Sequence, residues 1–240
     1  MNDIAYEQRR GEIETYFDRT AADAWAKLTS SAPVSGIRAT VRAGRDLTRS
    51  TLLGWLPENL HGRRILDAGC GTGALAVEAA RRGAQVVAID LSPTLVQLAR
   101  ERMPTDLGAG RIEFCSGDML AAGLGEFDHI VGMDSLIHYE RHDVVRAICA
   151  LAPRTHGSIV FTFAPRTPML AAMRVVGRLL PRSDRSPSIV PVAENLLRKE
   201  LMDALPGWRI GRDLRVSTSF YKSHSIELCA PGADLDRHAL

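Results

Sequence analysis

The sequence predicts an α/β domain: a mostly parallel seven-stranded sheet wrapped by helices, with an antiparallel terminal strand and a helical cap at the N-terminus. Three observations carry this. From residue 63 onward, short apolar runs alternate with helical stretches, the pattern of strand-helix-strand units. The run ILDAGCGTG, residues 65–73, reads as a buried strand turning tightly into a helix, its glycines leaving backbone bare where a small polar ligand can approach. Near the end, Trp208 to Ser217 and Ser219 to Ala230 alternate as an antiparallel pair does.

Composition limits the alternatives. At 240 residues, 45% hydrophobic and 24% charged, the chain suits one domain better than two. The net charge is only +2 and no basic stripe is interleaved with aromatics, so a nucleic-acid partner is not expected. Its 30 basic residues are 27 Arg and 3 Lys, a balance that favours bidentate recognition of carboxylate or phosphate, or else reflects genome composition. Cys70, Cys115, Cys149 and Cys229 are widely spaced, with no CxxC and no His cluster at ligand spacing, so neither a protein-bound metal nor a disulfide framework is expected. The start MNDIAYEQRR has no apolar core, and no run of 18 apolar residues occurs. A cytoplasmic protein is the expectation, with peripheral membrane contact left open.

Taken in order, residues 1–60 form the cap, 61–230 the main domain with an insertion at 165–192, and 231–240 a tail. Ile13, Tyr16 and Phe17 fall at helical spacing until Asp18 to Thr20 break the pattern. From Ser35 through Trp55 a second helix puts Ile37, Val41, Leu47, Leu52, Leu53 and Leu56 largely on one side. Arg38, Arg42, Arg45 and Arg49 line another side, which is either solvated or a surface for an acidic substrate or partner. Pro57 stops that helix. Strands are read at 64–68, 85–90, 111–116, 127–133 and 157–163, joined by helices near 73–82, 92–103 and 141–151. Leu75, Val77 and Ala79 make a small-residue surface for close packing, and Gly83 ends their helix. Ser92 and Pro93 sit where an N-cap and a first-turn proline belong. The insertion contains the amphipathic stretch MLAAMRVVGRLLPR, read as a lid over the ligand crevice, an ordinary packed helix or a membrane-surface segment. A helix over 193–204 precedes the terminal pair.

Taken alone, GCGTGA fits the GxGxxG/A pattern of dinucleotide folds, a weak signal. Its company is more specific. Asp67, at the end of the strand, would repel a pyrophosphate and attract an amino group. Asp90 ends the next strand, where a carboxylate can accept hydrogen bonds from both ribose hydroxyls. Asp118 is placed to meet an adenine amino group, with Met119 against the ring, although a helix cap or surface carboxylate is an equally ordinary role for it. Together they describe a nucleoside carrying a cationic amino acid, which is S-adenosylmethionine.

ILDAGCGTG, VVAID and SGDML resemble the binding motifs of class I S-adenosylmethionine-dependent methyltransferases over residues 63–163. The resemblance implies a Rossmann-like fold and a cofactor held by Asp67, Gly69, Gly71, Gly73, Asp90, Leu91, Asp118, Met119 and Asp134. MDSLIHYE, residues 133–140, and the stretch from Tyr16 to Asp46 resemble the branch of that family acting on Mg-protoporphyrin IX in bacteriochlorophyll biosynthesis, a likeness extending over nearly the whole chain. It implies methyl transfer to one propionate carboxylate, with His138 and Tyr16 catalytic and Tyr139, Arg38 and Arg42 on the substrate. Magnesium would belong to the substrate, and the large subunit of magnesium chelatase becomes a plausible partner. A propionate is already ionised at neutral pH, so alignment and removal of water matter more than a strong base. His138 could orient the propionate, relay a proton or ligate magnesium; orientation is preferred, because hard magnesium favours oxygen. Tyr16 could instead be a ring packed under the cap, and Tyr139 is similarly ambiguous. Other acceptors, a small hydrophobic acid or a quinone, remain open because this fold hosts many, as does a porphyrin hand-over protein.

Overall fold

The computed structural model describes residues 3–20, 29, 36–167 and 189–233. The amphipathic stretch of the insertion, most of residues 21–35 and the end of the tail lie outside the described residues.

The chain opens with α1 (Asp3–Thr15), which runs into a π-helical turn at Tyr16–Thr20, and continues with α2 (Ile37–Trp55). The main domain follows as β1 (Arg64–Ala68), α3 (Ala74–Arg81), β2 (Gln85–Asp90), α4 (Pro93–Arg102), β3 (Arg111–Ser116), β4 (Phe127–Gly132), α5 (Arg141–Leu151) and β5 (Thr155–Phe163). Then come α6 (Glu194–Ala204), β6 (Arg209–Ser217) and β7 (Lys222–Cys229). The seven strands form one sheet in the order β3-β2-β1-β4-β5-β7-β6. The first five are parallel, and β7 pairs antiparallel with both β5 and β6. Strand order reverses between β2-β1 and β4, so a crevice opens beyond the carboxyl ends of β1 and β4.

The central strands are apolar because both faces are covered. One face packs Leu66, Phe127, Ile130, Ile148 and Leu197 with α1, α5 and α6. The other packs Ile65, Val131 and Val160 against Leu52, Leu53, Ala76 and Val96 from α2, α3 and α4. β5 begins at Thr155, two residues before the expected Gly157, because Thr155 already pairs with Phe127.

Two helix faces differ from expectation. On α2 the expected apolar positions Ile37 and Leu47 are 56% and 52% exposed, whereas Gly44 and Thr48 are buried with Leu52 and Leu53. The reason is Tyr221, whose ring lies where a side chain at 44 would be: a Cβ there would come within 2.5 Å of it. On α3 the buried set is Leu75, Ala76, Ala79 and Ala80, and Val77 falls outside it. The break expected at Asp18 to Thr20 is instead the π-helical turn, and Asp18 docks on the start of α4, accepting from Ser92 Oγ at 3.2 Å and the Thr94 N–H at 3.0 Å. Ser92 is the N-cap of α4, accepting from the Leu95 N–H.

The outer hairpin holds a buried charge. Glu227 is 2% exposed and answered by Arg212 through Nε at 2.8 Å and Nη2 at 2.7 Å. Arg212→Met leaves that carboxylate without its counter-ion and is expected to destabilise the fold by about 3 kcal/mol in a denaturant titration; Glu227 and Arg212 replaced together should cost less.

Candidate active site

The carboxyl ends of β1, β2 and β4 open into a cavity of about 670 Å³. Its floor is the glycine turn. Gly69, Gly71 and Gly73 have φ of 86°, 53° and 78°, the left-handed region where a side chain is strained. The turn is tied to β2: the Gly69 and Cys70 N–H groups donate to the Ile89 carbonyl, and the Gly71 N–H donates to Asp90 Oδ2 at 2.8 Å. Gly69 also makes room for the next wall, since a Cβ on it would lie 2.3 Å from Ser135 Cβ. Gly69→Ala is therefore expected to abolish measurable cofactor binding by calorimetry while the fold persists in circular dichroism.

Asp67 lies below this turn, 1% exposed, accepting from the Ala76 backbone in the first turn of α3 while its Oδ2 makes no hydrogen bond. Burial first, and then the charge of Asp90, push this carboxyl up to about 7. A buried carboxylate oxygen left unanswered beside a pocket fits a cationic amino group from a ligand. Asp90 accepts the N–H groups of Gly71 and Ser92, one on each oxygen, and burial raises it too. With a further backbone hydrogen bond from Leu91, the carboxylate keeps one lone pair for a ligand hydroxyl. Leu91 and Met119 border the same cavity. Asp118 accepts the Leu120 N–H on Oδ1 and an ion pair from Arg10 on Oδ2 at 2.9 Å. Arg10, far away in sequence, thus latches α1 to the position expected to meet adenine.

The opposite wall is the turn after β4. Among the described residues Asp134 is the one non-glycine with positive φ, 56°. Its N–H donates to Thr162 Oγ1 at 2.7 Å, and its carboxylate receives the Tyr221 hydroxyl at 3.0 Å and an ion pair from Arg45. The Thr162 hydroxyl also reaches Oδ1 at 3.4 Å, so the expected cofactor role of Asp134 concerns a carboxylate already engaged by three side chains. A 3-10 turn over Leu136–His138 then buries His138 in the cavity wall. Phe17 lies 5.7 Å from the imidazole, ring centre to ring centre, and Tyr16 stands edge-on to Phe17 at 5.2 Å. The π-helical turn thus brings Tyr16, half-buried, to the same part of the cavity as His138. Tyr139 is buried and stacked on Tyr6 at 5.3 Å, so most of its ring is spent on packing α1.

The arginine row of α2 borders the cavity, with Arg38, Arg42, Arg45 and Arg49 all in its lining. Arg38 is exposed at the outer end, and Arg49 is held by Asp46 and Glu78. The roles of Arg10, Tyr221, Ser135 and Thr162 went unseen in the sequence, because each depends on partners far along the chain. For Arg45 the helical spacing marked the row, though not its tie to Asp134.

Away from the cavity, ligand atoms of Glu194, Asp213 and His224 lie within 4.8 Å of one another, a grouping that sequence spacing did not reveal. Arg198 pairs with both acids and Arg215 with Glu194, so this is a charge-balanced ion-pair cluster joining α6 to the hairpin. All four cysteines are unpaired thiols, and no described helix is long and apolar enough to cross a membrane.

Comparison with known proteins addresses the acceptor. Residues 132–230 match the family model "Magnesium-protoporphyrin IX methyltransferase C-terminus", and residues 65–154 match a general methyltransferase domain. A magnesium-protoporphyrin O-methyltransferase of Rhodobacter capsulatus is 48% identical, over 92% of this chain and 97% of that protein. One from Synechocystis is 30% identical over 90% and 94%. The crystal structure of magnesium protoporphyrin IX methyltransferase from Synechocystis with bound SAH superimposes with a TM-score of 0.80 at 29% identity, covering 92% of this chain and 99% of that one.

Proposed function

This chain belongs to the magnesium-protoporphyrin IX methyltransferase family, and from that premise we propose how its residues carry out the reaction. The reaction is methyl transfer from S-adenosylmethionine to a propionate carboxylate of Mg-protoporphyrin IX, giving the monomethyl ester and S-adenosylhomocysteine, a step of chlorophyll and bacteriochlorophyll biosynthesis. The observation that carries the mechanism is a single cavity with the unanswered Asp67 carboxylate at one wall and His138 with the arginine row at the other.

S-adenosylmethionine, when bound, supplies an electrophilic methyl group on a sulfonium. Asp67 takes its ammonium, the glycine turn lets its backbone approach, and Asp90 takes a ribose hydroxyl. Met119 and Leu91 flank the adenine, next to Asp118 and its Arg10 latch. His138 hydrogen-bonds one oxygen of the acceptor carboxylate and turns the other toward the methyl carbon; Tyr16 and Phe17 close over this point and exclude water. No proton needs to be removed from an ionised propionate, so the histidine acts by orientation. Arg38, Arg42 and their neighbours on α2 receive the propionate that is not methylated, as guanidinium forks suit carboxylates. Tyr139 sets the turn through its stack on Tyr6.

The raised Asp67 implies a pH dependence. With the empty site titrating near 7, the ionised form that an ammonium requires is depleted as pH falls. Affinity for S-adenosylmethionine is expected to drop about tenfold between pH 8 and pH 6 as Asp67 takes up a proton, measured by calorimetry.

The acceptor is tested with a panel: Mg-protoporphyrin IX, metal-free protoporphyrin and a ubiquinol precursor at equal concentration. The magnesium porphyrin is expected to be esterified at least about tenfold faster than either; a faster quinol would point to the alternative acceptor. We also propose that the water-insoluble substrate is handed over by the large subunit of magnesium chelatase, and that the enzyme makes peripheral membrane contact. Acceleration of chelatase turnover by a His138→Ala protein tests the hand-over.

A further inference from the structure

We propose that Tyr221 and Asp134 are positioning residues that pre-set Arg45 as the receptor for the propionate that is not methylated. The assignment rests on the acceptor reading above and names, within the arginine row, the member that fixes how the macrocycle lies.

Three elements converge on Asp134. From β5, Thr162 holds its backbone; from the turn between β6 and β7, Tyr221 donates to both carboxylate oxygens, at 3.0 and 3.2 Å; from α2, Arg45 pairs with Oδ2. The Asp134 side chain is 6% exposed and that of Arg45 17%, so the pair is formed with little solvent to screen it. Tyr221 is itself immobilised, because its ring packs into the space that Gly44 leaves beside Arg45. Burial and the Asp134 charge push its phenol up, which keeps the hydroxyl a donor.

This network solves a conflict of charge. An arginine reserved for a substrate carboxylate needs a partner to hold its rotamer, yet a bare carboxylate beside it would repel the substrate. The Tyr221 hydroxyl shares the Asp134 charge, so Arg45 can keep one nitrogen there and turn other N–H groups of its fork to a propionate. The two propionates of protoporphyrin hang from neighbouring pyrroles on one edge. With one at His138, the other therefore lies along the same wall, and Asp134 starts the turn that His138 ends. Arg38, at the exposed end of the row, has no such support from a buried carboxylate among the described contacts.

The test uses Mg-protoporphyrin IX and a synthetic magnesium porphyrin carrying one propionate, with full-length wild type, Tyr221→Phe, Arg45→Met and the double variant. Tyr221→Phe keeps the ring and is expected to raise KM for Mg-protoporphyrin about tenfold, with kcat and S-adenosylmethionine affinity within about twofold. Arg45→Met should raise KM further, and the double variant should be no worse than Arg45→Met alone. Against the single-propionate porphyrin, wild type and both variants should show the same KM. An unchanged KM in Tyr221→Phe, or an equal rise for both porphyrins, overturns the assignment while leaving the acceptor intact. Wild type that binds S-adenosylmethionine but esterifies neither porphyrin overturns the acceptor reading and this assignment with it.

Discussion

Replacing His138 with alanine is expected to lower kcat about 100-fold while S-adenosylmethionine affinity stays within about twofold. The imidazole is 6% exposed, carried on a short 3-10 turn between Asp134, anchored by Thr162, Tyr221 and Arg45, and Tyr139, stacked on Tyr6. Both ends of the turn being fixed, loss of the side chain should leave the backbone in place and remove only the group that aims the carboxylate. Asp67 and Asp90, the acids proposed to hold the cofactor, belong to β1 and β2 and do not depend on this turn. A ring that merely packs would give the opposite pattern: a lower melting temperature with turnover nearly intact. Steady-state kinetics, calorimetry and a thermal melt on one preparation separate the two.

Asp67→Asn is the second large effect, and it has two signs. Removal of the charge should weaken S-adenosylmethionine binding at pH 8 by about 100-fold, since the site then offers a neutral amide to an ammonium. The same change should stabilise the empty protein at that pH. The folded carboxyl titrates near 7 against 3.8 for an ordinary aspartate, so the folded form holds a proton that the unfolded chain has already lost. Its contribution to stability is fully present below about pH 4 and is lost as pH rises through 7. At pH 8 wild type therefore carries a buried, unanswered charge costing on the order of 4 kcal/mol, and the variant should melt about ten degrees higher. Near pH 4 the two melting temperatures should converge. A variant less stable at pH 8 would show that the Asp67 charge is well satisfied without a ligand.

The two variants also mark where sequence patterns end. The glycine turn was legible because it is local: an apolar strand, an acid and alternating glycines lie together in ILDAGCGTG, and the acid already pointed to S-adenosylmethionine over a dinucleotide. The five parallel strands were legible for a similar reason, their apolar runs being covered on both faces. The face of α2 was misread because its packing is decided by Tyr221, whose ring fills the space at Gly44 and leaves Ile37 and Leu47 exposed. No periodicity within the helix carries that information. The Arg10 to Asp118 pair and the convergence of Arg45, Thr162 and Tyr221 on Asp134 are likewise products of topology, which folds the cap and the last hairpin over one crevice. The regular arginine spacing revealed a charged face, but only the fold shows that it borders the cavity.

The most direct measurement of the central claim is transfer of an isotopically labelled methyl group. Purified protein, labelled S-adenosylmethionine and Mg-protoporphyrin IX are incubated at pH 8 and the porphyrin is analysed by mass spectrometry. The account predicts one added label per macrocycle, on a propionate ester, matched by one S-adenosylhomocysteine. Tight cofactor binding with no label in the porphyrin would contradict it.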